Sequence, residues 1–219
     1  KCAIIVGDDL SCERDFDQSV ETVISINARK YGKGTMTYRY EMMRNLAFVE
    51  SKNLVLVNQV GGSTDIVYDG TSGALNSRGE LVLMMKNFEE DFQIFDTKAS
   101  ARPITIPSTY NDRTRMVYQA ARCGLRDFFV KNGYKKACIG LSGGIDSAVV
   151  ACLAADALGR ENIRALLLPS QFSSDHSVED AKKLAENLGI EYNVIPITEI
   201  YTSVVNTLKP VIGGTEFDA

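Results

Sequence analysis

The stretch Gly140-Leu141-Ser142-Gly143-Gly144-Ile145-Asp146-Ser147 decides how this chain folds and what it can hold. An apolar run, Ala137-Cys138-Ile139, leads into it, and Ala148-Val149-Val150-Ala151-Cys152-Leu153-Ala154-Ala155 leads out. That succession predicts strand, glycine turn and helix, a layout that points unpaired backbone N–H groups at an anion. Gly143 and Gly144 let the chain turn tightly and let an oxygen-rich ligand come close to the backbone. Ser142 and Ser147 add hydroxyl donors. No lysine stands inside the turn, so it departs from the GxxxxGK[ST] phosphate loop. Asp146 would repel a bare phosphate. A divalent cation between the two removes the objection, since Mg²⁺ is held by a carboxylate together with phosphate oxygens. The competing reading is a plain strand-to-helix turn with capping serines. Strand before, helix after and a carboxylate inside the turn favour a nucleotide loop.

Outward from this turn, the pattern predicts a strand at 135–141, a helix at 147–158, a strand at 163–168, a loop at 169–176, a helix at 177–188, a strand at 192–197 and a helix at 198–208. Gly159 and Gly189 act as stops. Alternating strands and helices imply an α/β unit with a doubly wound parallel sheet. Ligands of such sheets bind at the carboxyl ends of the strands. The loop Gly140–Ser147 and the loop after Leu168 should therefore face one another. In the second loop Ser177 reads as a helix cap, with Asp180 as its capping-box partner. Upstream, Asn111-Asp112 caps a helix carrying Met116, Ala120, Leu125 and Phe129 and ended by Gly133. Arg115, Arg122 and Arg126 lie off its apolar stripe and read as a solvated face. Pro103 and Pro107 break the stretch before that helix. The predicted organisation is residues 1–98, a linker at 99–111, and residues 112–219.

The first part reads as sheet-rich. Strands are predicted at Lys1–Val6, Leu54–Val57, Ile66–Tyr68, Leu81–Met85 and Phe92–Phe95. A short helix running into a strand is predicted over Gln18–Ile26, and a helix about Arg39–Val49. Asp69-Gly70 and Arg78-Gly79 read as turns.

The chain has 219 residues, a net charge of −4, 45% hydrophobic and 24% charged residues. These values describe an ordinary globular protein, and the lack of a basic block argues against a nucleic-acid partner. No apolar run approaches membrane-spanning length, and no secretory signal is visible, so no membrane partner and a cytoplasmic location are expected. The first residue is not methionine, which is compatible with a fragment. Cysteines at 2, 12, 123, 138 and 152 show no CxxC spacing, which argues against a disulfide scaffold or a zinc site. Cys138 and Cys152 read as small core residues. His176 stands alone, which argues against Ser-His-Asp or Cys-His catalysis; it reads as a loop-stabilising side chain.

SGGIDS at Ser142–Ser147 resembles the SGGxDS signature of the ATP pyrophosphatases, which include NAD, GMP and asparagine synthetases and several tRNA-modifying enzymes. LPSQFSSDHSVEDAKKLAENLGI, starting at Leu168, resembles the NAD synthetases among them and not the GMP or asparagine enzymes. A second resemblance lies upstream. Val57-Asn58-Gln59-Val60-Gly61-Gly62, Val67-Tyr68-Asp69-Gly70-Thr71-Ser72 and Asn87-Phe88-Glu89-Glu90-Asp91-Phe92 are similar to the later half of the nitrilase-type amidase domain fused to glutamine-dependent NAD synthetases. The two together cover nearly the whole chain.

The resemblance implies a partial nitrilase-like α/β sandwich (1–98) and an ATP-pyrophosphatase domain (112–219). It implies an ATP site at Gly140, Leu141, Ser142, Gly143, Gly144, Ile145, Asp146, Ser147, Leu168, Ser170 and Gln171. Asp146 and Ser142 would serve catalysis and Asp146 would carry Mg²⁺. It implies amidation of deamido-NAD to NAD through an adenylylated intermediate, with ammonia or glutamine as nitrogen source, and a homo-oligomer. The departures from the pattern are as informative. The amidase nucleophile lies in a motif resembling CED[LI]W. The matching stretch here is Gly7-Asp8-Asp9-Leu10-Ser11, so glycine replaces the thiol and no acyl intermediate can form there. Cys12 could only be a displaced thiol. The glutamine-contacting serine and lysine fall on Arg29 and Thr35, and the remaining Glu and Lys catalysts would precede residue 1. The expectation is a glutaminase scaffold without an intact site, and a synthetase part holding much of the ATP site but little of the dinucleotide site. Another pyrophosphate-loop ligase, or a non-catalytic nucleotide-binding remnant, are the alternatives.

Overall fold

β-Branched and leucine residues alternating along Cys2–Val6 (β1), Thr22–Asn27 (β2) and Asn53–Asn58 (β3) give three adjacent parallel strands, in a computed structural model that describes residues 1–7, 16–98, 101–110 and 112–212. Asp8–Ser11, Cys12, Asn111 and the end of the chain beyond 212 lie outside the described residues. The chain divides into two compact units, Lys1–Phe128 and Phe129–Ala219.

In the first unit the sheet order is β1-β2-β3-β6-β7, with β6 at Gly73–Leu75 and β7 at Leu81–Met84 pairing antiparallel. Successive side chains of a strand point to opposite faces. Ile5, Val23, Leu54 and Leu56 therefore turn to one face, where they pack with Met36, Tyr40, Met43 and Ala47 of the helix Thr35–Glu50 (α1). The other face carries two registered apolar rows, Ile4–Ile24–Val55 and Val6–Ile26–Val57. Ile4, Val6, Ile26 and Val57 of these rows are exposed. Val60–Ser63 (β4) and Ile66–Asp69 (β5) form a separate antiparallel hairpin. The helix Arg113–Asn132 (α2) buries Met116, Ala120 and Cys123 in a small cluster with Phe88.

Several expectations are corrected here. Among the described residues no helix precedes β2; Asp17–Val20 is a turn closed by Val20 N–H to the Asp17 carbonyl at 2.9 Å, with the Asp17 carboxylate accepting from Ser19 N–H at 2.7 Å. Phe92–Phe95 is not a strand, and Phe92 and Ile94 point to solvent. β4 and β6 lie outside the strands expected from the sequence, since Gly61-Gly62 and Gly73 interrupt any apolar alternation there. Arg126 is not simply solvated: its Nε lies 2.9 Å from the Asp127 carboxylate, while Arg122 reaches Glu89 at 3.9 Å.

The second unit follows the predicted alternation: Ala137–Gly140 (β8), Ile145–Leu158 (α3), Ile163–Leu167 (β9), Asp175–Leu188 (α4), Glu191–Val194 (β10) and Thr198–Ile212 (α5). Its sheet, β10-β9-β8, is parallel throughout. Ala151 and Ala154 of α3 and Ala181 and Ala185 of α4 are buried with Ile163, Ala165 and Leu167. Small residues on both helices let their backbones lie close to the sheet. Gly133 and Gly189 adopt φ of 72° and 67°, the left-handed stop expected of them. Two details differ from the reading of the sequence. Cys138 is exposed and Cys152 half-buried, because β8 alternates and Cys138 falls on its open side. The cap of α4 is Ser174, whose Oγ accepts from Ser177 N–H at 3.2 Å; the helix starts before Ser177.

Candidate nucleotide site

β8 ends in the loop that organises the second unit. Leu141 N–H donates to the Leu166 carbonyl at 2.9 Å, which carries the β8–β9 pairing one residue further and buries Leu141. The chain then leaves the sheet through Gly143, at φ 83°. Ser142 and Ser147 brace the turn. Their hydroxyls lie 3.0 Å apart, Ser142 N–H donates to Ser147 Oγ at 3.2 Å, and Ser147 Oγ donates to the Gly144 carbonyl at 3.0 Å. Gly144 N–H donates to Ser142 Oγ at 3.3 Å. Both hydroxyls, read from the sequence as ligand donors, thus also brace the turn itself.

Gly144 is the extended residue before α3, and no side chain caps the helix. The N–H groups of Ile145, Asp146 and Ser147 belong to its first turn and have no acceptor within the helix. They carry the positive end of the helix dipole. Asp146 is exposed at the second helical position, and Ile145 before it is an exposed large apolar residue. A carboxylate in a first turn also steadies a helix by about 0.3–1 kcal/mol, so Asp146 has a local role whatever else it does.

β8 and β9 are parallel neighbours, so the loop after β9 leaves from the same sheet edge. The first loop meets the start of α4, at the far end of the second, backbone to backbone. A Cβ on Gly143 would lie 2.8 Å from both Cα and the carbonyl carbon of Ser177, in the first turn of α4. Glycine is required there by space as well as by φ. Within the second loop, Ser170 N–H donates to Ser173 Oγ at 3.0 Å and Phe172 N–H to Ser170 Oγ at 3.2 Å. Ile197 N–H ties Pro169 O at 2.9 Å. Leu168 and Gln171 are exposed, Ser170 is half-buried, and His176 is exposed on α4.

The amidase-like positions lie in the first unit. Gly7 ends β1 at φ 83°, its N–H donating to Ile26 O at 2.9 Å, and a Cβ there would meet nothing within 4 Å. Arg29 and Thr35 line one cavity of about 360 Å³ with Lys30, Tyr38, Arg39 and Tyr68; Gly7 does not line it. Thr35 also has a local role, its Oγ1 donating to Gly32 O at 2.9 Å and accepting from Gly32 N–H at 3.1 Å.

Sequence reasoning missed the polar centre of this unit. Asp69, read as a turn residue, is fully buried and pairs in two-pronged fashion with Arg39 at 3.2 and 2.8 Å. Asn58 Nδ2 donates to Asp69 at 3.2 Å and to Gly70 O at 3.1 Å, and its Oδ1 accepts from Arg29 N–H at 2.9 Å. Thr71 Oγ1 lies 3.1 Å from Asp69, and Tyr40 Oη donates to Thr71 O at 3.0 Å. Burial pushes the Tyr40 phenol well above the usual tyrosine range. The available signal was Arg39 in the middle of an apolar helix face, opposite a strand ending in aspartate.

Residues 117–217 match the NAD synthase family model. This segment of the chain belongs to the NAD synthase family. Curated relatives are the glutamine-dependent NAD(+) synthetase of Aquifex aeolicus (strain VF5), 37% identical over 231 residues, covering 90% of this chain and 41% of that one. The synthetase of the same description from Synechocystis sp. is 38% identical over 205 residues, covering 92% of this chain and 37% of that one. The chain thus spans about two fifths of the length of these members of the family. The solved glutamine-dependent NAD+ synthetase from Acinetobacter baumannii, in complex with ADP, superposes with a TM-score of 0.85 at 31% identity, over 99% of this chain and 42% of that one. A second synthetase structure, from Cytophaga hutchinsonii, shares the fold at 18% identity with a TM-score of 0.78. No described helix is long and apolar enough to cross a membrane.

Proposed function

We propose that this chain carries the ATP-binding portion of an NAD synthetase that amidates deamido-NAD, releasing AMP and pyrophosphate. The observation that supports this best is the Gly140–Ser147 turn. It joins an uncapped helix amino end to an exposed carboxylate and packs, through Gly143, on the first turn of α4. A nicotinate carboxylate is a poor acyl donor. Its oxygen displaces pyrophosphate at the α-phosphorus of ATP, giving an acyl adenylate. Ammonia then attacks the acyl carbon and AMP leaves. No covalent enzyme nucleophile is needed.

In this reading the N–H groups of Gly143 and Ile145–Ser147 receive phosphate oxygens as charge develops on the departing pyrophosphate. Ser142 and Ser147 exchange their mutual hydrogen bond for bonds to the ligand. Leu168, Ser170 and Gln171 lie on the adenosine side. Among the described residues no cluster of three or more acidic, histidine or cysteine side chains could hold a metal alone. That fits Mg²⁺, which typically takes one or two carboxylates and fills its shell with phosphate and water. Asp146 would hold it, and the ion would supply neutralisation of the triphosphate charge.

Because Gly7 carries no thiol, the nitrogen source for this chain's reaction is ammonium rather than glutamine hydrolysed at that position. A homo-oligomer working in the cytoplasm completes the proposal. The departures at Gly7, Arg29 and Thr35 favour one other reading, a nucleotide-binding remnant without turnover. Calorimetric titration with ATP and magnesium, wild type against Asp146→Ala, tests the site: at least a tenfold loss is expected, in line with the loss of a charge-assisted contact. Turnover assays of the complete enzyme with deamido-NAD separate the two readings. NAD formed with ammonium and not with glutamine supports the synthetase; binding without any turnover supports the remnant.

A further inference from the structure

The loop after β9 is held by a side-chain contact from outside itself. Its stem is tied by Ile197 N–H to Pro169 O, and its far end is the cap of α4 at Ser174. Between them stand Ser170, Gln171 and Phe172. Phe172 is 61% exposed, so burial in a core does not fix its ring. Tyr201, in the first turn of α5, meets it edge to face, with ring centroids 5.5 Å apart at 83°. The backbone N–H of the same Phe172 donates to Ser170 Oγ at 3.2 Å. Phe172 thus carries both the ring contact to Tyr201 and the N–H that donates to the Ser170 hydroxyl, with Gln171 between the two loop residues.

We infer that Tyr201 is a positioning residue of the nucleotide site: through Phe172 it presets the Ser170–Gln171 segment in the conformation that receives the adenosine end of ATP. This rests on the ATP reading above. Tyr201 touches no ligand in this scheme. Its role is preorganisation, which raises affinity by sparing the loop the cost of ordering when ligand arrives. The contact is ring to ring, so phenylalanine should serve as well as tyrosine.

The test is a double-mutant cycle read by calorimetric titration with ATP and magnesium. Tyr201→Leu and Phe172→Leu should each weaken binding roughly three- to tenfold, the range of an edge-to-face aromatic pair. The double variant should bind no worse than the weaker single, because one contact is removed twice. Tyr201→Phe should bind as wild type does. Phe172→Leu changes an exposed side chain and keeps the cycle readable if Tyr201→Leu is poorly folded. Losses that multiply in the double variant, or Phe172→Leu binding at wild-type strength, overturn the inference while leaving the ATP site standing. Wild-type protein that binds no ATP overturns both.

Discussion

At Gly143 the backbone sits at φ 83°, and the space a Cβ would need is occupied by the Ser177 main chain. Neither obstacle can be relieved by a side-chain rotation. Gly143→Ala should cost about 1–3 kcal/mol, the scale of a forced unfavourable backbone, and should weaken ATP binding as well. Gly140, where a Cβ would meet nothing within 4 Å, is the control. Gly140→Ala should stay within about 0.5 kcal/mol of wild type in chemical denaturation. Asp69 sets a different scale. It is fully buried, and its carboxylate answers the Arg39 guanidinium, whose side chain is 2% exposed. Asp69→Ala leaves a buried cation without its partner, and a loss of about 3–5 kcal/mol is expected. An unchanged denaturation midpoint for Asp69→Ala would mean that Arg39 is not buried in solution.

Helix α4 tests the reading of elements. Its amino end is satisfied by Ser174 Oγ accepting from Ser177 N–H, while Ser177 Oγ lies 2.8 Å from Ser174 Oγ. Ser174→Ala should therefore lower stability by about 1 kcal/mol, the usual loss at a helix cap. Ser177→Ala removes only the outer hydroxyl and should lose less than half of that. If the order is reversed in thermal unfolding, the helix begins later than described. The sequence pointed to Ser177 because three serines crowd the segment, and any of them can precede an apolar-periodic run. Elements of the second unit were legible because glycine stops bracket them: Gly133, Gly159 and Gly189 all adopt positive φ. In the first unit, β4 and β6 were hidden by the same residue type, since Gly61, Gly62 and Gly73 lie inside strands. Gly73 is there for closeness, a Cβ on it falling within 2.6 Å of the Tyr40 hydroxyl. Phe92–Phe95 alternates as a strand should, yet among the described residues no strand pairs with it.

Across the molecule, buried titratable groups give stability a pH dependence of known sign. Burial pushes the Cys123 thiol up, so the folded chain keeps that proton at pH values where the unfolded chain loses it. Stability from this source is complete below the unfolded thiol pKa of about 8.5 and falls as pH rises beyond it. The melting temperature should decline above about pH 8.5, and Cys123→Ala should flatten that decline; an equal slope in both proteins removes Cys123 as the cause. How much of the site could be read from the sequence follows from the same physics. The Gly140–Ser147 turn is local, and its strand, turn and helix follow from contiguous residues. The Arg39–Asp69 pair joins residues thirty positions apart and is invisible to any local pattern. The two rows of isoleucine and valine on the open side of the first sheet have a practical consequence at the bench. Oily patches on a folded surface invite self-association. This stretch of chain, handled alone, should light up environment-sensitive dyes without being unfolded, scatter light increasingly as it is concentrated, and keep better in mild detergent than in plain buffer.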